Sequence, residues 1–233
     1  MIGKKIIKFE SLDSTSDYLN QLHNKLEDGT LCLAFEQTKG RGRRENIWVS
    51  PKGNLYFSFI KKQVFNREDI FHETIRVSIS IVELLEKYDV KAMIKYPNDI
   101  LASNKKIAGI LIETKGLKNV EETIVGIGIN INQKDFHNLN NKATSLAILK
   151  EQEYEIEEFL NEFIQIYNRI DDMLSAYNEY IQKSLIIGKD LVYKGENYKI
   201  ESVLPNGDIV IKNENNNINI RSNEIDFSHL YSE

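Results

Sequence analysis

Thr123-Ile124-Val125-Gly126-Ile127-Gly128-Ile129-Asn130-Ile131-Asn132 alternates strictly, and that alternation decides how the chain is built. Successive side chains of a strand point to opposite faces, so Val125, Ile127, Ile129 and Ile131 share one face while Gly126, Gly128 and Asn130 share the other. The β-branched stripe reads as a core face. Glycine weakens a strand interior, so two on one face imply that something packs flat against bare backbone. A ligand, a closely packed helix or a bulge would each satisfy that reading. Gly109, in the apolar segment Ile107–Thr114, fits the same floor.

Further strands flank this one. Lys4–Phe9, Leu31–Gln37, Asn54–Ile60 and Met93-Ile94 read as strands, and Ile100–Ala102 with Ile107–Thr114 as a hairpin across Ser103–Lys106. Tyr18, Leu19, Leu22 and Leu26 recur at helical spacing behind the capping run Asp13-Ser14-Thr15-Ser16-Asp17. Longer amphipathic helices are expected at about 67–88 and at about 156–184, with a short one at 143–150. Past Gly188 the pattern changes to four short strands, Asp190–Tyr193, Tyr198–Val203, Asp208–Lys212 and Ile218–Arg221, separated by turns such as Pro205-Asn206-Gly207. The fold expected is α+β, a mixed sheet with flanking helices over residues 1–185, followed by a small β-barrel over 186–233.

Composition excludes several classes. With 233 residues, 41% apolar and 28% charged, the chain has enough material for a sizeable core. No apolar run approaches the ~20 residues of a membrane span. Cys32 is the single cysteine, which excludes an intrachain disulfide, and His23, His72, His137 and His229 show no metal-ligand spacing. A cytoplasmic protein with no metal cage of its own and no membrane partner is expected. The net charge of −5 argues against general nucleic-acid affinity.

Against that acidic background, Lys39-Gly40-Arg41-Gly42-Arg43-Arg44 sets four cations and two glycines in six residues, just before the single tryptophan, Trp48. Arginine offers planar bidentate donors for phosphate or carboxylate, and glycine lets backbone approach a ligand. Taken alone, the run is either an anion-binding lid or a solvated basic turn. Three hydroxyls at Ser14, Thr15 and Ser16 exceed what one helix cap needs, so some are free for a polar ligand or simply sit in the cap. Cys32 lies mid-strand, where an inert buried thiol is expected. Neither GxxxxGK[ST] nor GxGxxG occurs. Positive charge, amides and neutral hydrogen-bonding groups remain, a set suited to nucleotidyl or acyl transfer.

Four ordered blocks resemble the biotin–protein ligases. These are Asp13-Ser14-Thr15-Ser16; Gly40-Arg41-Gly42-Arg43-Arg44 with Trp48 and Ser50-Pro51; Lys95-Tyr96-Pro97-Asn98-Asp99 with Lys106-Ile107-Ala108-Gly109-Ile110-Leu111; and Gly126-Ile127-Gly128-Ile129-Asn130. The resemblance implies a class II synthetase-like catalytic domain and an SH3-like C-terminal barrel. It implies an enzyme that couples biotin to ATP, with Mg²⁺ carried by the nucleotide, and then transfers biotin to a lysine of a biotin carboxyl carrier domain. By resemblance, Ser14, Thr15 and Gln37 hydrogen-bond the biotin ring, with Ser16 in a position more often filled by Asn. Gly40, Arg41, Gly42, Arg43, Arg44 and Trp48 form the loop over biotin and its activated carboxyl. Lys106 sits between carboxylate and α-phosphate, and it and Arg43 are the catalytic pair. Gly109, Gly128 and Asn130 line the floor, and Lys95, Asn98 and Asp99 shape the nucleotide side.

Two departures stand out. Glu45 occupies a place usually given to glycine, which predicts a stiffer loop, and Tyr96 replaces tryptophan. Some relatives carry an N-terminal winged helix; here the Asp-Ser-Thr block arrives within fifteen residues, so no DNA binding is expected. The resemblance leaves room for a homodimer. The rival readings are a lipoate ligase or octanoyltransferase, whose Arg-Arg-x-Ser-Gly-Gly-Gly loop is missing, and a non-catalytic nucleotide or vitamin module, which would not need Lys106 and Arg43 to converge. An RNA-binding patch fits least, because the chain is acidic and no aromatics are interleaved with the basic run.

Overall fold

In the computed structural model, which describes residues 1–116, 120–136, 142–221, 224–225 and 227–231, the alternating segment is the middle strand of a seven-stranded sheet. In chain order the elements are β1 (Ile6–Phe9), α1 (Thr15–Leu22), β2 (Leu31–Ala34), β3 (Leu55–Phe65), α2 (Arg67–Glu86), β4 (Ala92–Lys95), β5 (Asp99–Ala102), β6 (Lys105–Lys115), β7 (Val120–Ile129), α3 (Leu146–Lys150), α4 (Ile156–Arg169) and α5 (Met173–Lys183). The order across the sheet is β1-β2-β3-β7-β6-β5-β4; β1 and β2 are parallel and every other pair is antiparallel. A second sheet, ordered β11-β10-β9-β8, is an antiparallel meander of β8 (Asp190–Tyr193), β9 (Glu196–Val203), β10 (Ile209–Lys212) and β11 (Asn217–Ile220).

Strand parity sorts the sheet into a core face and a site face. Leu31, Leu33, Leu55, Phe57, Phe59, Val125, Ile127 and Ile129 all point towards α2, α4 and α5 and join one large apolar cluster. Aromatic edges lock it: Phe57 meets Phe163 at 5.0 Å and Phe59 meets Tyr167 at 5.2 Å between ring centroids. The intervening residues face α1, where Leu19, Leu26, Cys32, Ile60 and Ile124 form a smaller cluster. Cys32 is fully buried there, and burial pushes its thiol pKa up to about 12. Gly126 and Gly128 lie on this second face, in register with Leu111 and Gly109 of β6.

The expected helix at 156–184 is two helices. α4 stops at Arg169, and Asp172 restarts the chain by accepting from the amides of Leu174 and Ser175, each at 3.1 Å. The break lets α5 turn toward the second sheet, where the Tyr177 hydroxyl donates to the Val203 carbonyl at 2.6 Å. The strand expected over 123–132 ends at Ile129. The expected polar connection after it includes residues 137–141, which, like the side chain of Glu45, lie outside the described residues. Among the described residues no helix is long and apolar enough to cross a membrane.

Candidate functional site

The start of α1 and Gln37, in the loop after β2, are stitched together before any side chain is considered. The amides of Leu12, Thr38 and Lys39 donate to the carbonyls of Glu36, Leu12 and Asp13, extending the β1–β2 pairing into the loops. Asp13 also accepts from Thr38 and Lys39, hydrogen bonds that hold its carboxyl below the usual range. The basic loop is thereby anchored directly beside the hydroxyl cluster.

The three hydroxyls divide their duties. Ser14 caps α1, accepting from the Asp17 amide at 3.3 Å. Thr15 donates to Gln37 Oε1 at 3.1 Å and shares a hydrogen bond with Ser58 at 2.7 Å; Ser16 reaches the same Ser58 hydroxyl at 2.9 Å. Ser58 was not anticipated. It is fully buried on β3, and its signal was the one small polar residue inside Leu55–Ile60, on the same parity as Ile60. Gln37 continues the chain: its Oε1 also accepts the Thr15 amide at 2.9 Å, its Nε2 donates to Ser50 Oγ at 3.0 Å, and Ser50 donates to the Trp48 carbonyl at 2.8 Å.

The loop folds over this set as a small hairpin. Trp48 N–H donates to Gly40 O at 2.9 Å and Gly42 N–H to Asn46 O at 2.7 Å, while Arg44 takes a left-handed conformation (φ 52°). Two side chains fasten its rim. Arg41 makes a fork to Glu113 at 2.9 and 2.7 Å and pairs with Asp17 at 2.7 Å. Burial alone would lower the Arg41 pKa, but Glu113 and Asp17 outweigh it and hold it above its ordinary value. Arg43 Nη1 donates to Asn98 Oδ1 at 2.8 Å.

Trp48 fills the floor. A β-carbon at Gly109 would lie 2.8 Å from the indole and one at Gly128 2.5 Å, so any other residue there would collide with the ring. Lys106 Nζ lies 4.9 Å from the indole centroid and 2.7 Å from Asp99 Oδ1. The buried indole N–H has no acceptor among the described residues. The ring divides two spaces. One, of about 50 Å³, is lined by the hydroxyl set, Gln37, Arg41, Gly42, Arg43, Asn98, Gly109, Gly126 and Gly128; the other, of about 150 Å³, by Ile47, Val49, Asn130, Gln133, Phe136 and Ala143. Trp48 and Lys106 line both.

Most anticipated residues therefore converge. Gly40, Arg44, Lys95 and Asp99 do not line either space, although Asp99 reaches the site through its pairing with Lys106. Lys95 instead sets its ammonium over the Tyr231 ring at 4.8 Å. Asp17, Glu113 and Ser58 are the partners that sequence reasoning missed. Among the described residues no cluster of three or more His, Cys, Asp or Glu could hold a metal ion.

Comparison with known proteins shows what the chain is similar to. Residues 8–130 match the model of the biotin/lipoate A/B protein ligase family. The chain is 36% identical over 154 residues to the bifunctional ligase/repressor BirA of Bacillus subtilis, covering 63% of this chain and 47% of that protein. It is 33% identical over 129 residues to a biotin–[acetyl-CoA-carboxylase] ligase of Paracoccus denitrificans, covering 51% of each. The chain thus spans about half the length of the curated relatives it matches. The biotin protein ligase of Aquifex aeolicus in complex with biotin and ATP superposes with a TM-score of 0.78 at 27% identity, covering 94% of this chain and 97% of that one. The chain belongs to the biotin/lipoate A/B protein ligase family.

Proposed function

We propose that the protein activates biotin with ATP to biotinyl-5′-AMP and transfers the biotinyl group to a lysine of a carrier domain. The observation that carries this reading is the position of Lys106, which lines both spaces and is held by Asp99 at the partition between them. The hydroxyl and amide set of Ser14, Thr15 and Gln37 offers neutral partners to a cyclic urea. The larger space, next to Asn130, takes the nucleotide.

In the first step a biotin carboxylate oxygen attacks the α-phosphorus, the bond to the pyrophosphate oxygen breaks, and pyrophosphate leaves. Negative charge gathers between carboxylate and phosphate, where the Lys106 ammonium acts as a fixed point charge. In the second step the carrier amine attacks the acyl carbon and AMP departs with its electron pair. Arg41 and Arg43, pinned at the rim, keep the loop over the acyl-adenylate so that water does not intercept it. Mg²⁺ enters with the ATP phosphates, because the carboxylates of the site, Asp17, Glu113 and Asp99, are already paired with Arg41 and Lys106. Residues 1–185 carry the chemistry in this reading, and residues 186–233 buttress it.

Incubation with biotin, MgATP and a biotin carrier domain tests the proposal. Biotin-dependent pyrophosphate release and a biotinylated carrier lysine are expected. No biotin-dependent pyrophosphate would overturn it.

A further inference from the structure

Residues 95–99 close the hairpin between β4 and β5, with Lys95 opposite Asp99, and this short strip links the C-terminal part of the chain to the site. At the outer end the Tyr96 hydroxyl donates to the Gly207 carbonyl at 2.7 Å, across 111 positions of sequence. Gly207 sits in the β9–β10 turn with φ +79° and the Phe71 ring against it. Phe227 meets the Tyr96 ring edge-on at 5.6 Å, and the Tyr180 hydroxyl donates to the Pro97 carbonyl at 3.1 Å. At the inner end Asn98 accepts from Arg43 and Asp99 pairs with Lys106. Tyr96 is 3% exposed and lines neither space of the site.

We propose that Tyr96 is a positioning residue for adenylation. Its hydrogen bond to Gly207 anchors the strip on the second sheet and so fixes Asn98 and Asp99, and through them Arg43 and Lys106. The inference rests on the biotin-activating reading above. Only Pro97 lies between Tyr96 and Asn98, so a shift at Tyr96 has little chain in which to dissipate before Asn98 and Asp99. Misplacing a reacting group by about 1 Å can cost about 100-fold in rate. The strip keeps a second anchor, because Asn98 Nδ2 donates to Ile110 O at 2.8 Å and the Ile110 amide donates to Asn98 O at 2.9 Å. Loss of the Tyr96 bond therefore slows the reaction without abolishing it.

The test compares Tyr96→Phe with Tyr177→Phe in the full chain. Each removes one hydroxyl that donates to the second sheet, to Gly207 or to Val203, and only the first touches the strip. Biotin-dependent pyrophosphate release is measured at a temperature where thermal unfolding shows both variants folded. Tyr96→Phe is expected to lower kcat about fivefold and leave the biotin KM within about twofold, while Tyr177→Phe keeps full kcat. Equal losses in both tyrosine variants would show general loosening of the sheet and overturn the proposal. A wild type without biotin-dependent pyrophosphate refutes the activity itself. An active wild type matched by Tyr96→Phe refutes the positioning role alone.

Discussion

The Trp48 indole rests on Gly128 so closely that a β-carbon there would lie 2.5 Å from the ring nitrogen. The loop's own aromatic therefore occupies the floor that the glycines keep bare. The space left beneath it, about 50 Å³, is far below the ~300 Å³ of the smaller ligand pockets. A vitamin-sized ligand has to displace the indole, and its N–H, which has no acceptor among the described residues at a cost of about 1–3 kcal/mol, favours that exchange. Trp48 is the single tryptophan, so intrinsic emission should change on biotin addition. Gly128→Ala should shift the emission before any biotin is added and weaken biotin binding about tenfold through overpacking. Emission identical to wild type in Gly128→Ala would show that the ring does not rest there in solution.

Lys106→Ala removes charge from the partition while leaving the packing of β6 intact. Its pairing with Asp99 is partly exposed, so the expected loss of stability is at most about 1 kcal/mol. Biotin-dependent pyrophosphate release should fall about 100-fold or more, with biotin binding retained. Calorimetric biotin binding measured beside turnover separates the two effects; full turnover would remove Lys106 from the chemistry.

Asn98 gives Arg43 its one-to-one partner at the rim, so Asn98→Ala and Arg43→Gly should behave alike. Both are expected to release biotinyl-AMP early, seen as biotin attached to lysines of bystander proteins such as albumin at the expense of the carrier domain. Arg43→Gly should be the stronger, since it removes the cation as well as the hydrogen bond. An Asn98→Ala enzyme that labels only the carrier would dissociate the contact from retention.

Glu73 supplies a pH test away from the site. Burial raises its carboxyl pKa, against the opposing pull of the Tyr167 hydroxyl that donates to it and of Arg76 and Lys61. The folded state thus holds the proton more tightly than the unfolded one. That stabilisation is complete below the ordinary carboxyl pKa of about 4.3 and is lost as pH rises through the elevated folded value. Glu73→Gln keeps the shape and stays neutral, so its thermal midpoint should fall less than that of wild type from acid toward neutral pH. Parallel pH profiles for the two proteins would refute the assignment.

Much of this arrangement was legible because strand parity is a property of the backbone. Thr123–Asn132 separates a Val/Ile face from a glycine face, and the sheet keeps that division, with α2, α4 and α5 on one side and α1 and the site on the other. Two things escaped. The apolar spacing of Ile156–Ile181 runs through the α4–α5 break because both helices bury a stripe against the same core; only the capping chemistry of Asp171-Asp172 marks the gap. The carboxylates that hold Arg41 lie 24 positions before and 72 after it, a pairing that depends on how β6 and α1 flank the loop. Nor does sequence say that Trp48 would lie inward, since one aromatic after a basic loop has no period to read.

Cys32 has a practical consequence. Fully buried on β2 and held as a thiol by its surroundings, it is silent toward reagents that need a thiolate. To such chemistry the folded chain behaves as though it had no cysteine. A cysteine introduced at Ile47, 80% exposed beside Trp48, would then be the sole addressable atom of its kind, and a dye placed on it would follow the loop without any further substitution.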